Sequence, residues 1–287
     1  MAVSSSSSGL KTYPEILKLT GYNLTLHGWS RGSQNTGFMI PELKLLLDAQ
    51  SRSKFNPEFI FITHGHTDHC FSLPMRIFNI PTNPLVLVPD ETRGLISDFI
   101  NATFRMGYAD PSYQHTCHLV GVIPGQVYQL KNSFQVKVYD MVHNVPCRGY
   151  GLQITKNKLK PEYSDCSKEE LIALRKNHAE IMGSSVEPVL AYLTDTTTQV
   201  FELNPELLTY PYIMIECTFV PCHPEDTLKE LQLAEEAKHI HWNHLYPIIQ
   251  QNPKVTFILI HFSHRYTDEE LTLFKQNIKE TNIIWAI

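Results

Sequence analysis

The chain has 287 residues, 43% of them hydrophobic and 18% charged, with a formal net charge of −5 at pH 7. That is long enough for one large domain or two small ones with a sizeable core, and the negative charge argues against a broad nucleic-acid-binding surface, which leaves a basic footprint. No apolar stretch approaches the roughly 20 residues that span a membrane, and six scattered cysteines with no CxxC pair suit reduced thiols in a cytoplasmic-type compartment, an organelle or the nucleus remaining open.

In chain order, the serine run from Met1 to Gly9 has no basic flank and no apolar core, so it predicts a disordered tail over 1–12 and not a secretion signal. Leu24-Thr25-Leu26, Thr36 to Ile40 and Leu45 to Asp48 are short apolar segments parted by Gly28, Gly32, Gly37 and Pro41, as in strands joined by tight turns. Phe59-Ile60-Phe61-Ile62, aromatic and β-branched, reads as a buried strand. Leu85 to Val88 is another, closed by Pro89, after which Asp90 is expected to cap a helix reaching Met106. Phe134, Val136 and Val138 alternate with polar residues in a strand aimed at His143, with Tyr150 to Thr155 as its partner. Ser167-Lys168-Glu169-Glu170 is a capping box that opens a helix expected to end near Gly183. Strands return at 189–193, 212–217 and 255–260, with helical patterns over 224–238 and 268–278. No repeat and no linker-like shift divides the chain, so two sheets covered by helices in one α/β sandwich fit this order.

The chemistry concentrates in Thr63-His64-Gly65-His66-Thr67-Asp68-His69, directly after the buried strand. Histidine is the commonest protein metal ligand, and a carboxylate beside it suits a hard or borderline divalent ion. In an extended segment residues two apart share a face, so His64 and His66 can reach one ion while Asp68 and His69, past the bend, serve another. Three further ligand types follow strand ends: His143 after 136–142, Asp195 after 190–194 and His261 after 256–260. Taken singly, each can be a hydrogen-bonded strand-end residue or a turn cap; with the first cluster they read as a metal site built on rigid strand ends.

These motifs resemble the metallo-β-lactamase superfamily along nearly the whole chain and, within it, the short-form tRNase Z group of tRNA 3′-processing endonucleases. Thr-His-Gly-His-Thr-Asp-His at 63–69 carries the superfamily likeness; Ile-Glu-Cys-Thr-Phe at 215–219, Lys-His-Ile-His at 238–241 and Ile-His-Phe-Ser-His-Arg-Tyr-Thr at 260–267 carry the narrower one. The resemblance implies a four-layer αββα sandwich over 13–287 with a substrate-binding insertion over 156–188. It implies two divalent ions, zinc with manganese or iron as alternatives, one held by His64, His66 and His143, the other by Asp68, His69 and His261, with Asp195 bridging. It implies a phosphodiesterase acting on precursor tRNA, with Asp68 essential and His239, held by Glu216, as the proton donor, and it leaves a homodimer open. Arg265 and Tyr266, beside the ligand His261, become candidate substrate contacts, as do Lys156, Lys158 and Lys160 in the insertion. Arg265 can equally be a surface arginine, the lysines a solvated strand edge, and Glu216 a strand-end surface carboxylate. His241 adjoins the expected acid and is its candidate substitute. The chain departs from the family at Thr194, where glycine is usual, at Asp48-Ala49-Gln50, where Asp-x-Gly is usual although Asp48 is still available to brace the metal-loop histidines, and in lacking a long Gly/Pro-rich arm. The other readings are hydrolysis of a small ester, thioester or lactone, and a non-catalytic RNA-binding relative.

Overall fold

Which way each apolar side chain faces decides the layers. A computed structural model describes residues 14–49, 56–78, 83–177 and 179–287; the tail expected over 1–12, Gln50 and His178 lie outside them. Among the described residues, one sheet holds β1 (Glu15–Leu19), β2 (Leu24–Arg31), β3 (Asn35–Ile40), β4 (Leu45–Leu47), β5 (Phe59–Phe61), β6 (Leu85–Pro89) and β7 (His118–Val122) in that spatial order. The other holds β8 (Val127–Gln129), β9 (Phe134–Asp140), β10 (Arg148–Leu159), β11 (Met182–Leu193), β12 (Tyr212–Glu216), β13 (Thr256–Ile260) and β14 (Ile283–Trp285), also in sequence order. In each sheet the first strands are antiparallel and the last four parallel.

Alternation along β5 puts Phe61 between the sheets and Ile60 outside them, as a period of two requires. Phe61 stacks on Tyr150 of the facing sheet at 5.0 Å between ring centroids, and Phe38 meets Tyr192 edge-on at 5.9 Å. Ile60 and Ile62 pack outward under helices α1 (Thr67–Cys70), α2 (Leu73–Ile77) and α3 (Arg93–Tyr108), through Leu73, Ile77, Ile96, Ile100 and Phe104. On the far side Ile213, Ile215, Phe257 and Leu259 are covered by α7 (Trp242–Gln251) and α8 (Asp268–Gln276), with α5 (Val200–Leu203) and α6 (Thr227–Ala237) beside them, while α4 (Lys168–Lys176) buries none of its residues. This is the αββα sandwich expected. Ile60 is fully buried, so truncating it to alanine should cost about 2–5 kcal/mol.

Several local expectations need correction. Asp90 does not cap α3: the chain leaves Pro89 through a single 3₁₀ turn, Asp90–Thr92, and Asp90 instead pairs with Arg93 at 3.5 Å. The capping box at Ser167 forms, but α4 ends at Lys176, and Gly183 lies in β11 opposite Lys158, because the 182–187 segment finds a strand partner in β10. Pro247 hides α7 in the sequence, although Trp242, Leu245 and Ile249 give it a buried face. Residues 156–159 pair only with 182–185, beyond the reach of β9 and β12, so the expected insertion is a two-stranded arm with α4 at its tip.

Candidate metal centre

The parallel strands of both sheets deliver their C-terminal ends to one edge of the sandwich. Asp48 follows β4, the 63–69 loop follows β5, Asp195 follows β11, Glu216 closes β12 and His261 follows β13; His143 arrives from the loop after β9. Asp48, Asp195 and His261 turn the chain with φ of 55°, 28° and 62°. That is left-handed backbone which side chains other than glycine adopt at a cost of about 1–3 kcal/mol.

The ligand set expected from sequence converges. His64, His66, His143 and Asp195 form one group of close donor atoms, Asp68, His69 and His261 another, and Asp195 and His261 also come close to His239 in a third. Asp195 faces both: Oδ2 lies 3.5 Å from His64 Nε2 and 3.8 Å from His143 Nε2, while Oδ1 lies 3.4 Å from His69 Nε2 and 3.3 Å from His261 Nε2. Asp68 Oδ2 is 3.4 Å from His261 Nε2, and His66 Nδ1 is 3.4 Å from His143 Nε2. Donors bound at about 2.0–2.2 Å to one ion stand roughly 3–3.6 Å apart, so these spacings fit two ions sharing a carboxylate.

Hydrogen bonds behind the imidazoles fix which nitrogen faces inward. The Thr63 hydroxyl donates to Asp48, so toward His64, 3.1 Å away, it can only accept, and His64 carries its proton on Nδ1. Its Nε2 is then a bare lone pair, buried and without a hydrogen-bond partner, as a metal-ready nitrogen must be. By the same logic His69 Nδ1 donates to Asp48 at 2.9 Å, His143 Nδ1 to the Lys238 carbonyl at 3.2 Å, and His261 Nδ1 to the Thr218 hydroxyl at 3.0 Å, itself donating to Glu216. Asp48, fully buried, also accepts from Thr63 N at 2.8 Å and Tyr192 Oη at 2.6 Å, which ties the two sheets together behind the site. Thr194 donates to Asp195 Oδ1 at 2.8 Å. The sequence marked Asp48 as a brace, while Thr63, Tyr192 and Thr218 went unassigned; only Thr218 carried a signal, the alternation that sets it on the same side as Glu216.

Without ions, the carboxylates set the charge of the imidazoles they face. Burial opposes charge on His69, but Asp195, Asp48 and Asp68 outweigh it and raise its imidazole to about 9. Burial likewise opposes ionised Asp68, yet the hydrogen bond from His261 and the charge of His69 hold it down at about 2.

Beside this cluster stands His239, its ring 5.2 Å from that of His143 and 5.5 Å from that of His261. Its Nδ1 donates to Glu216 Oε1 at 2.8 Å, and burial, which disfavours imidazolium, is overcome by Glu216 and Asp195, so the pKa rises to about 9. Glu216 is fully buried and also accepts from Thr196 N at 2.7 Å, Ile240 N at 3.1 Å and the Thr218 hydroxyl, which rules out the surface-carboxylate alternative. His241 does not share this place: it is buried, accepts from Asn243 N at 3.1 Å as the cap of α7, and burial lowers its pKa to about 4.

The substrate contacts divide. Arg265 is exposed over the Phe219 ring, 5.7 Å from its centroid, and forms no ion pair among the described residues. Tyr266 is only 3% exposed, donates to Glu230 at 2.5 Å and accepts from Val220 N at 3.2 Å; it is a core brace, not a substrate contact. Lys156 and Lys158 both pair with Glu187, and Lys160 with Glu180 at 3.3 Å. They sit on the arm: Lys158 is ten residues along β10 from Arg148, roughly 33 Å from the metal end at about 3.3 Å per residue.

No family model matches the chain. It is 28% identical over 265 residues to tRNase Z TRZ1 of Arabidopsis thaliana, covering 90% of this chain and 91% of that protein. It is 27% identical over 260 residues to the chloroplastic tRNase Z TRZ2 of the same plant, covering 86% and 69%. Among solved structures it matches the metallo-β-lactamase fold protein YhfI from Bacillus subtilis with a TM-score of 0.56 at 12% identity, covering 90% and 93%. It matches human short-form tRNase Z with a TM-score of 0.54 at 16% identity, covering 84% and 93%.

Proposed function

We propose, for a chain of the metallo-β-lactamase fold that is similar to tRNase Z along nine-tenths of its length, a dinuclear metal-dependent phosphodiesterase that removes the 3′ trailer of precursor tRNA. The observation that carries this reading is the His239–Glu216 pair, held at 2.8 Å at the edge of the ligand cluster, with His239 Nδ1 turned away from Asp195 and His261 onto Glu216. His64, His66 and His143 would hold one ion, Asp68, His69 and His261 the other, and Asp195 both. When bound, two divalent ions supply Lewis acidity toward a phosphoryl oxygen and acidify water.

The chain's own residues account for the rest. Glu216 fixes His239 with its proton on Nδ1 and favours the imidazolium, so Nε2–H is free to protonate the oxygen that leaves phosphorus. A ribose 3′-oxygen is a poor leaving group and needs that proton. A thioester or lactone hardly does, so the pair weighs against the small-ester reading, and the convergence of a complete ligand set weighs against a non-catalytic relative. Arg265, exposed above Phe219, offers a planar fork for a backbone phosphate. Zinc is the ion to load first, since the His/Asp set suits it, with manganese and iron as the other trials.

Among the described residues no helix is long and apolar enough to cross a membrane. Free thiols at all six cysteines suit the cytoplasm. A homodimer belongs to this reading because Phe71, Met75 and Leu95 remain exposed on the helices outside the first sheet. The test is hydrolysis by the purified, metal-loaded protein of a 3′-extended precursor tRNA, a generic phosphodiester and a thioester. Trailer release leaving a 3′-hydroxyl on the tRNA supports the proposal; a thioester cleaved far faster than any RNA replaces it with the small-ester reading.

A further inference from the structure

A cavity of about 390 Å³ opens beside His239, lined also by Thr197, Gln199, Glu235, Lys238 and His244. Its size is in the range of small-ligand sites, about 300–1,000 Å³. The apolar hollow between α1 and α3 does not include His239. A general acid acts within about 2.6–3.2 Å of the oxygen it protonates, so whatever carries the leaving oxygen must lie against His239.

Both walls of the cavity are tied to the segment that carries a metal ligand. Val142 N donates to Thr196 Oγ1 at 3.1 Å and Thr197 N to the Val142 carbonyl at 3.1 Å. From the other side His143 Nδ1 donates to the Lys238 carbonyl at 3.2 Å, and Asn144 Nδ2 to the Ala237 carbonyl at 3.0 Å. The cavity is therefore held in register with the metal centre. Its lining suits a ribonucleotide. The Thr197 hydroxyl is buried without a partner, and the Gln199 amide can donate and accept. The exposed His244 ring offers a face for a base, and Lys238, which forms no ion pair among the described residues, a charge for a phosphate.

We propose that this cavity is the subsite for the ribonucleoside whose 3′-oxygen leaves, with Gln199 and His244 contacting its base and Lys238 the phosphate on its 5′ side. The proposal rests on the phosphodiesterase reading above and adds to it which side of the cleaved bond is recognised, and by what. The trailer, on the other side of the phosphate, makes no contact here.

The test uses the metal-loaded protein and 3′-extended RNAs that differ at the leaving nucleotide alone, unmodified or abasic. Removing the base should lower kcat/KM roughly tenfold or more, the scale of one lost base contact. The double variant Q199A/H244A should lose a similar factor on the unmodified RNA, more than it loses on bis(p-nitrophenyl) phosphate, and should no longer distinguish the abasic RNA. In parallel, adenosine 5′-monophosphate titrated into the protein should shift the Gln199 and His244 NMR signals and bind the double variant more weakly. If the abasic RNA is cleaved as fast as the unmodified one, or the double variant keeps the full abasic penalty, the subsite is overturned while the endonuclease stands. If no RNA is cleaved at all, the function and the subsite fall together.

Discussion

The two ends of the second sheet carry charged side chains to opposite effect. At the C-terminal ends of β11, β12 and β13, Asp195, Glu216 and His261 are buried, and their partners are imidazoles and hydroxyls whose remaining valences point at one another. At the other end, on the β10–β11 arm, Lys156, Lys158 and Lys160 each meet a carboxylate in solvent. Burial separates the two cases. A buried polar group left without a partner is costly, so the bare Nε2 of His64 suits a nitrogen that takes a metal. An exposed ion pair contributes little and implies no ligand at all.

That contrast breaks most sharply under substitution at the metal end. Asp68→Ala should abolish hydrolysis, and His66→Ala should lower bound metal from close to two ions per chain, measured by elemental analysis, with a fall in Tm because bound metal stabilises the fold. Fewer than one ion per native chain, purified without chelator, would refute the dinuclear centre. Next in size, His239→Ala should keep both ions yet slow turnover by roughly 10²–10⁴-fold, and much less for a nitrophenyl diester, whose leaving group needs no proton. Equal losses on both substrates would remove His239 from the proton step.

A smaller effect tests the electrostatics. In the metal-free protein His69 and His239 are raised to about 9 against an ordinary 6.5, chiefly by Asp195 and Glu216 working against burial. Their contribution to stability is present in full below pH 6.5 and is lost as pH climbs through 9. Metal must displace the proton on His69, so affinity for the ion rises over the same interval. The gap in Tm between metal-loaded and metal-free protein should therefore widen from pH 6 to pH 9, by thermal melts in parallel; a gap that narrows contradicts the assignment. The smallest effect belongs to the arm. Changing Lys156, Lys158 and Lys160 together to alanine should leave Tm and the small-diester rate nearly unchanged and should raise KM for RNA less than Arg265→Ala does. A larger rise would make the arm a true grip on RNA.

Most of the candidate metal centre was legible because the residues that converge there follow apolar runs whose period is plain, as His64 follows 59–62 and His261 follows 256–260. The fold class followed from the same runs. What escaped depended on partners distant in sequence. Tyr266 looked like a site residue by adjacency to His261, but its hydroxyl is held by Glu230, 36 residues away, inside the core. The alternating lysines looked free because Glu187 lies on the neighbouring strand, a pairing set by register and not by local pattern. Thr63 and Tyr192 carry no local sign of their service to Asp48, which exists only once the sheets face each other.

The left-handed turns at Asp48, Asp195 and His261 bear on how the protein behaves before it acquires its ions. Each stores a little backbone strain at a strand end. Local opening should therefore begin at these three points while the interiors of the same strands stay closed. An amide-exchange map of metal-free protein should show fast exchange at 48–49, 195–197 and 261–263, quenched on loading, with 212–215 slow in both. Maturation of this molecule is then the closing of a clasp on a frame already folded.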